Sequence, residues 1–98
     1  MAEINWTAEA ERRLSDIYDY IATDNPDAAF RMVESIYERV QLLRQFPELG
    51  YRYEAGPHLH VRILLYGHYR IAYLLRTDGG IDILGVFHGG LDISRYLI

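Results

Sequence analysis

No cysteine and no lysine occur among the 98 residues. The first absence excludes disulfides, a thiolate zinc site and a thiol nucleophile. The second leaves arginine as the basic residue type, ten against 14 acidic side chains, for a net charge of -4. Arginine suits bidentate and stacked contacts, although all-arginine usage equally reflects a GC-rich genome. Non-specific nucleic-acid binding rides on a basic surface, so an acidic total counts against that class. The chain also lacks an apolar run near the length of a membrane span and the basic-then-apolar pattern of a secretory signal, so no membrane association and a cytoplasmic location are expected. Internal repeats, low-complexity tracts, a Gly-rich phosphate loop, a local Ser-His-Asp spacing and a paired-carboxylate motif are missing as well, and no cofactor is expected.

What is present is an ordinary globular composition, 50% hydrophobic and 24% charged, expected to form one domain over residues 1–98. Ala2 to Trp6 alternates and reads as a short first strand. Thr7 offers an N-cap oxygen, and Glu9 and Glu11 complement the dipole of a helix from Ala8 to Ala22. Its apolar stripe is Leu14, Ile17, Tyr18 and Ile21. Pro26 suits the first position of a second helix capped by Asp24 or Asn25. That helix carries Ala29, Val33, Ile36, Val40 and Leu43, widened by Phe30, Tyr37 and Leu42, and stops at Phe46-Pro47-Glu48-Leu49-Gly50.

Tyr51 to His60 has no periodicity and reads as irregular. Three strands follow, Val61 to Tyr66, Tyr69 to Arg76 and Ile81 to His88, split by Gly67-His68 and by Thr77-Asp78-Gly79-Gly80. Gly89-Gly90 ends the last strand, and Leu91 to Ile98 is expected to be either a plain tail or a short helix started at Asp92 or Ser94. The order β-α-α-β-β-β makes an α+β fold, a helical hairpin packed on one face of an antiparallel sheet.

Register decides which side chains converge. A two- or four-residue second turn sets Arg76 opposite Ile81, Ala72 opposite Gly85 and Arg70 opposite Phe87. One face then holds Arg70, Ala72, Leu74, Arg76, Ile81, Ile83 and Phe87. The other holds Tyr69, Ile71, Tyr73, Leu75, Leu84, Val86 and His88, is more apolar, and takes the helices. A two-residue Gly67-His68 loop turns Arg62 away from Arg70, whereas a three-residue loop unites Arg62, Arg70 and Arg76 in a cationic cluster. For Arg70, amid Ile71, Ala72, Leu74 and Leu75, the alternatives are a structural ion pair and a functional contact. Arg62 poses the same choice, solvation is the plainer reading of Arg76, and His88 suits a backbone contact at the strand end. His58 and His60 are two apart, but two ligands do not make a metal site, and none is expected.

Taken together, Tyr69-Arg70-Ile71-Ala72-Tyr73, the Phe46-Pro47-Glu48-Leu49-Gly50 stop, the Trp6-Thr7-Ala8-Glu9-Ala10 helix entry and Ile83-Leu84-Gly85-Val86-Phe87-His88-Gly89 followed by Asp92 resemble RelE/ParE-type toxins of bacterial toxin-antitoxin pairs. The resemblance spans nearly the whole chain. It implies a helical hairpin on an antiparallel sheet and an antitoxin partner that wraps the toxin. It leaves two activities, because RelE-like members cleave mRNA on the ribosome and ParE-like members inhibit DNA gyrase. Arg70 matches the arginine of the RelE-like Gly-Tyr-Arg strand motif, Arg62 matches a basic position on the preceding strand, and Tyr96 falls near the C-terminal tyrosine. His60 falls where that family has a lysine, and Gly89, Gly90 and Leu91 stand where a basic residue is expected. A ParE-like, non-enzymatic toxin acting on gyrase is therefore the better fit, with Arg62, Arg70, Arg76 and His88 as candidate partner contacts. ParE-like members often carry arginine just after the His-Gly step, where this chain has Gly90-Leu91. A RelE-like mRNA endoribonuclease using Arg62, Arg70 and Tyr96, or a detoxified antitoxin-binding module, are the alternatives.

Overall fold

A computed structural model describes residues 2–53, 60–89 and Ile93. Strand β1 (Ile4–Trp6) leads into helices α1 (Ala8–Ala22) and α2 (Pro26–Gln41), and α2 tightens into a 3-10 turn over Leu42–Arg44. Strands β2 (Tyr51–Tyr53), β3 (Val61–Tyr66), β4 (Tyr69–Leu75) and β5 (Ile81–His88) follow. The tail helix expected from Asp92 or Ser94 lies outside the described residues.

Both helix starts follow their local chemistry. The Thr7 hydroxyl accepts from the Ala10 amide at 3.1 Å and donates to the Ile83 carbonyl at 2.7 Å, so one side chain caps α1 and ties it to the sheet. Asn25 Oδ1 accepts from the Ala28 amide at 3.1 Å, and Pro26 fills the first helical position, where no N–H is needed.

The α+β architecture and the hairpin on one face hold as expected. The sheet adds two features, with order β1-β5-β4-β3-β2. Tyr51–Tyr53, read as irregular, pairs antiparallel with β3, and β1 runs parallel to β5 with Ile4 opposite Ile81. The short β2 alternates too briefly to register as a strand without its partner.

Both turns settle the register. Gly67, at φ +57°, and His68 make a two-residue loop, because Tyr66 pairs with Tyr69. Glycine at the first central position with an ordinary residue second is the type II′ pattern. The second turn is odd-numbered instead. Leu75 pairs with Ile81, the Arg76 amide donates to the Gly80 carbonyl at 2.8 Å, and Gly79 takes the left-handed φ of +90°. This is the three-residue loop with a left-handed third residue.

A bulge at Leu84 then restores the expected pairs. Tyr73 faces Ile83, Ala72 faces Gly85, and Leu84 has no opposite number. Arg70 therefore still faces Phe87, but Arg76 does not face Ile81. Ile81 and Ile83 turn to the helix side, against the face assigned to them from an even loop.

Two cores result. On the helix side, Leu64, Ile71, Tyr73, Ile81, Ile83 and Val86 pack against Ala10, Ile36, Val40 and Leu43. On the far side, Val61, Ile63, Ala72 and Phe87 pack with Ile93, and Leu74 and Leu84 lie against them. Tyr18, Phe30, Tyr37 and Leu42, expected to belong to the stripe or widen it, are instead exposed.

Candidate functional site

Arg62 is opposite Tyr73 across β3 and β4, and Arg70 is opposite Leu65 and Phe87. The two arginines thus lie on different faces of the sheet, and the cationic cluster of Arg62, Arg70 and Arg76 does not form. The reason is the two-residue loop, which makes every β3 position share a face with a β4 residue of fixed index.

Arg62 is a backbone clamp. Its Nη1 donates to the Gly50 carbonyl at 2.7 Å and the Glu48 carbonyl at 3.2 Å, and its Nη2 lies 3.8 Å from the Glu48 carboxylate. With its side chain only 19% exposed, it spends its charge on the loop. Tyr73 completes the clamp from β4. Its hydroxyl donates to the Pro47 carbonyl at 2.7 Å and accepts from the Gly50 amide at 2.9 Å. Burial pushes the Tyr73 phenol above its usual range, only partly offset by the Gly50 amide. Gly50 is required by close approach, since a Cβ there would lie 2.6 Å from the Ile63 carbonyl oxygen.

Arg76 belongs to its turn. It donates to Asp82 at 2.7 Å and Asp78 at 3.1 Å, and Asp78 also accepts from the Gly80 amide at 2.8 Å. The Gly80 amide, followed by Arg76, holds the Asp78 carboxyl below its usual range. Hydrogen bonding to Asp78 raises the Arg76 guanidinium in turn.

Arg70 sits on the far face, with its Nε buried. Its opposite neighbour Phe87 also carries Arg13 from α1, whose guanidinium carbon lies 4.6 Å from the ring centroid. Periodicity gave no hint of Arg13, which reads as a solvated helix residue and here bonds Glu9 at 2.7 Å. His88 is exposed at the strand end, where its ring stacks on His68 at 6.5 Å and meets Tyr69 edge-on at 5.9 Å. A groove of about 440 Å³ runs there between Tyr20, Tyr69, Val86 and His88. His60 lies just before β3, where its carbonyl accepts from the Leu75 amide at 3.0 Å. Tyr96, His58, Gly90 and Leu91 lie outside the described residues. Among the described residues no group of three or more metal-ligating side chains assembles.

The helical hairpin carries a second groove of about 440 Å³, lined by Trp6, Leu14, Tyr18, Val33 and Tyr37. Trp6 stacks on Tyr37 at 5.7 Å with the ring planes 10° apart, and its buried indole N–H has no hydrogen-bond partner among the described residues. Charge is divided between the layers. Residues 8–41 hold eight of the 14 acidic and four of the ten basic side chains, so the helical layer carries the net negative charge. No helix among the described residues is long and apolar enough to cross a membrane.

Comparisons with known proteins place this geometry in a family. The family described as ParE toxin of type II toxin-antitoxin system, parDE, matches residues 4–93. Y4kP, a candidate toxin of Sinorhizobium fredii (strain NBRC 101917 / NGR234), is 38% identical over 87 residues, covering 87% of this chain and 85% of that protein. A solved chain of the chromosomal ParDE TA system from P. aeruginosa superposes with a TM-score of 0.71 at 26% identity, over 90% of this chain and 96% of that one. A chain of the RelBE2 toxin-antitoxin complex from Mycobacterium tuberculosis shares the fold, with a TM-score of 0.66 at 21% identity over 89% and 96% of the two chains. The chain belongs to the ParE toxin family, within the RelE/ParE superfamily, and is the toxin component of a type II toxin-antitoxin system.

Proposed function

We propose that the chain is a ParE-like toxin that acts in the cytoplasm by binding DNA gyrase and is neutralised by a cognate antitoxin laid over the helical hairpin and sheet. The observation that carries this reading is the dispersal of the three sheet arginines. RNA cleavage by 2′-hydroxyl attack needs converging cations around a phosphorane-like transition state, and loss of one such stabiliser costs roughly 2.7–4 kcal/mol by analogy with an oxyanion-hole donor. Here Arg62 holds a loop, Arg76 pairs with two aspartates, and Arg70 lies on a face packed by Val61, Ile63, Ala72, Phe87 and Ile93. Such a face suits protein contact better than phosphate chemistry, and Arg70 and His88 are the proposed partner contacts.

Supercoiling assays with purified chain and gyrase test the reading. Inhibition that added antitoxin relieves is the expected result. Absence of inhibition at stoichiometric excess counts against gyrase as the target, and mRNA cleavage on ribosomes that Arg70→Ala abolishes would replace this reading with an endoribonuclease. Harmless expression without antitoxin would leave antitoxin binding alone.

A further inference from the structure

Phe46 and Leu49 are 57% and 45% exposed, yet they flank a loop whose backbone is fastened at four points. Arg62 and Tyr73 together hold the Pro47, Glu48 and Gly50 carbonyls and the Gly50 amide. The loop also closes on itself, with the Leu49 amide donating to the Phe46 carbonyl at 3.0 Å. Two apolar side chains presented on a backbone ordered by folding lose little further entropy when something docks on them.

A groove of about 640 Å³ lies among Phe46, Leu49 and Leu75. A neighbouring groove of about 460 Å³ shares Pro47, Arg76 and Gly79 with it and extends to Glu3 and Asp78. The rim is acidic. The Glu48 and Asp78 side chains are 77% and 67% exposed, and Glu3 is exposed as well. The cation lining both grooves, Arg76, is already bonded to Asp78 and Asp82. Arg44 and Arg62 aim donors inward at the carbonyls of Ala2, Glu48 and Gly50. An apolar floor inside an anionic rim selects an apolar side chain with cationic neighbours and repels nucleic acid.

We propose that the loop of residues 46–50 is a preformed docking platform for a basic segment of the antitoxin. An aliphatic or aromatic side chain of that segment enters beside Phe46 and Leu49, and flanking lysine or arginine faces Glu48 and Asp78. This rests on the antitoxin partnership proposed above. Arg62 and Tyr73 are positioning residues for the platform.

Short fluorescein-labelled peptides tiling the cognate antitoxin test this by anisotropy against the intact chain, alongside the whole antitoxin, at low and high salt. A peptide with an apolar residue beside lysine or arginine is expected to bind. The double variant Phe46→Ala/Leu49→Ala should lose roughly tenfold or more in affinity, as for a central apolar anchor. Glu48→Lys with Asp78→Lys should weaken the same peptide less, by an amount that shrinks as salt rises. Circular dichroism checks that the variants stay folded, which the exposure of all four side chains favours. Unchanged affinity of the double variant for peptides and antitoxin, or a preference for acidic peptides, overturns the platform while leaving the partnership intact. Failure of the wild-type chain to bind the whole antitoxin overturns the partnership and the platform together.

Discussion

Arg62 and Arg70 occupy similar strand sequences on opposite faces of one sheet, and the two faces use them differently. On the helix side, Arg62 and its opposite neighbour Tyr73 reach past the end of the hydrophobic core and bond the backbone of residues 47–50. On the far side, Arg70 and its opposite neighbour Phe87 lie beside an apolar cluster closed by Ile93. One face ends in polar bonds to a loop, and the other carries a second apolar cluster. The two arginines stand three positions apart along the β3–β4 ladder, and an odd separation sends them to opposite layers.

Removing Tyr73 should test the comparison hardest. Tyr73→Ala deletes a fully buried ring and strands the Gly50 amide and Pro47 carbonyl, and should cost about 4 kcal/mol or more in urea unfolding. Phe87→Ala, which removes packing and the Arg13 contact, should cost about 3–5 kcal/mol. Should Phe87→Ala cost under about 1 kcal/mol, the far-side cluster is not a second core.

Gly50→Ala pushes a methyl into the Ile63 carbonyl and the Tyr73 ring, with an expected loss of about 1–3 kcal/mol and faster hydrogen exchange in the loop. Arg62→Met keeps the stem and removes the charged donors, and about 1.5–3 kcal/mol should go with them. In both variants hydrogen exchange should quicken more in the loop than in β5, where it should rise by no more than the global loss of stability.

The smallest effects are those of pH. Tyr73 holds its proton more tightly folded than unfolded, so its contribution is complete below the ordinary phenol pKa of 10.0 and is lost as pH rises from there through the raised native value. Alkaline melts of wild type should therefore fall more steeply than those of Tyr73→Phe. Asp78 has the opposite sign. Its native pKa lies below 3.8, so its stabilisation is present above that value and disappears as pH falls through the native pKa, and wild type and Asp78→Asn should converge in acid.

Several elements were legible without coordinates. The bounds Ala8–Ala22, the cap at Thr7, Pro26 at the head of α2 and the buried positions Ala29, Ile36, Val40 and Leu43 follow from caps and a 3.6-residue period. The pairing of Arg70 with Phe87 also followed, although through two compensating features, an odd loop and a bulge at Leu84. Only one of the two candidate Gly67-His68 loops placed Arg62 opposite Tyr73, so the clamp was one turn choice away from being read. Even so, no local pattern says that Pro47 and Gly50 lie at the tip of that pair.

By itself the sequence determined the order of every described element except β2, the helical hairpin, the candidate arginines and the resemblance to the toxin family, because caps, periodicity and turn residues act over a few neighbouring positions. Tertiary structure alone decided which layer each arginine serves. It set the odd-numbered turn that moves Ile81 and Ile83 to the helix side, the bulge that returns Arg70 to Phe87, the closure of the far face by Ile93, and the capture of residues 47–50 by Arg62 and Tyr73. Those outcomes depend on contacts between residues distant in the chain, where a shift of one position in one turn exchanges the two faces of the sheet.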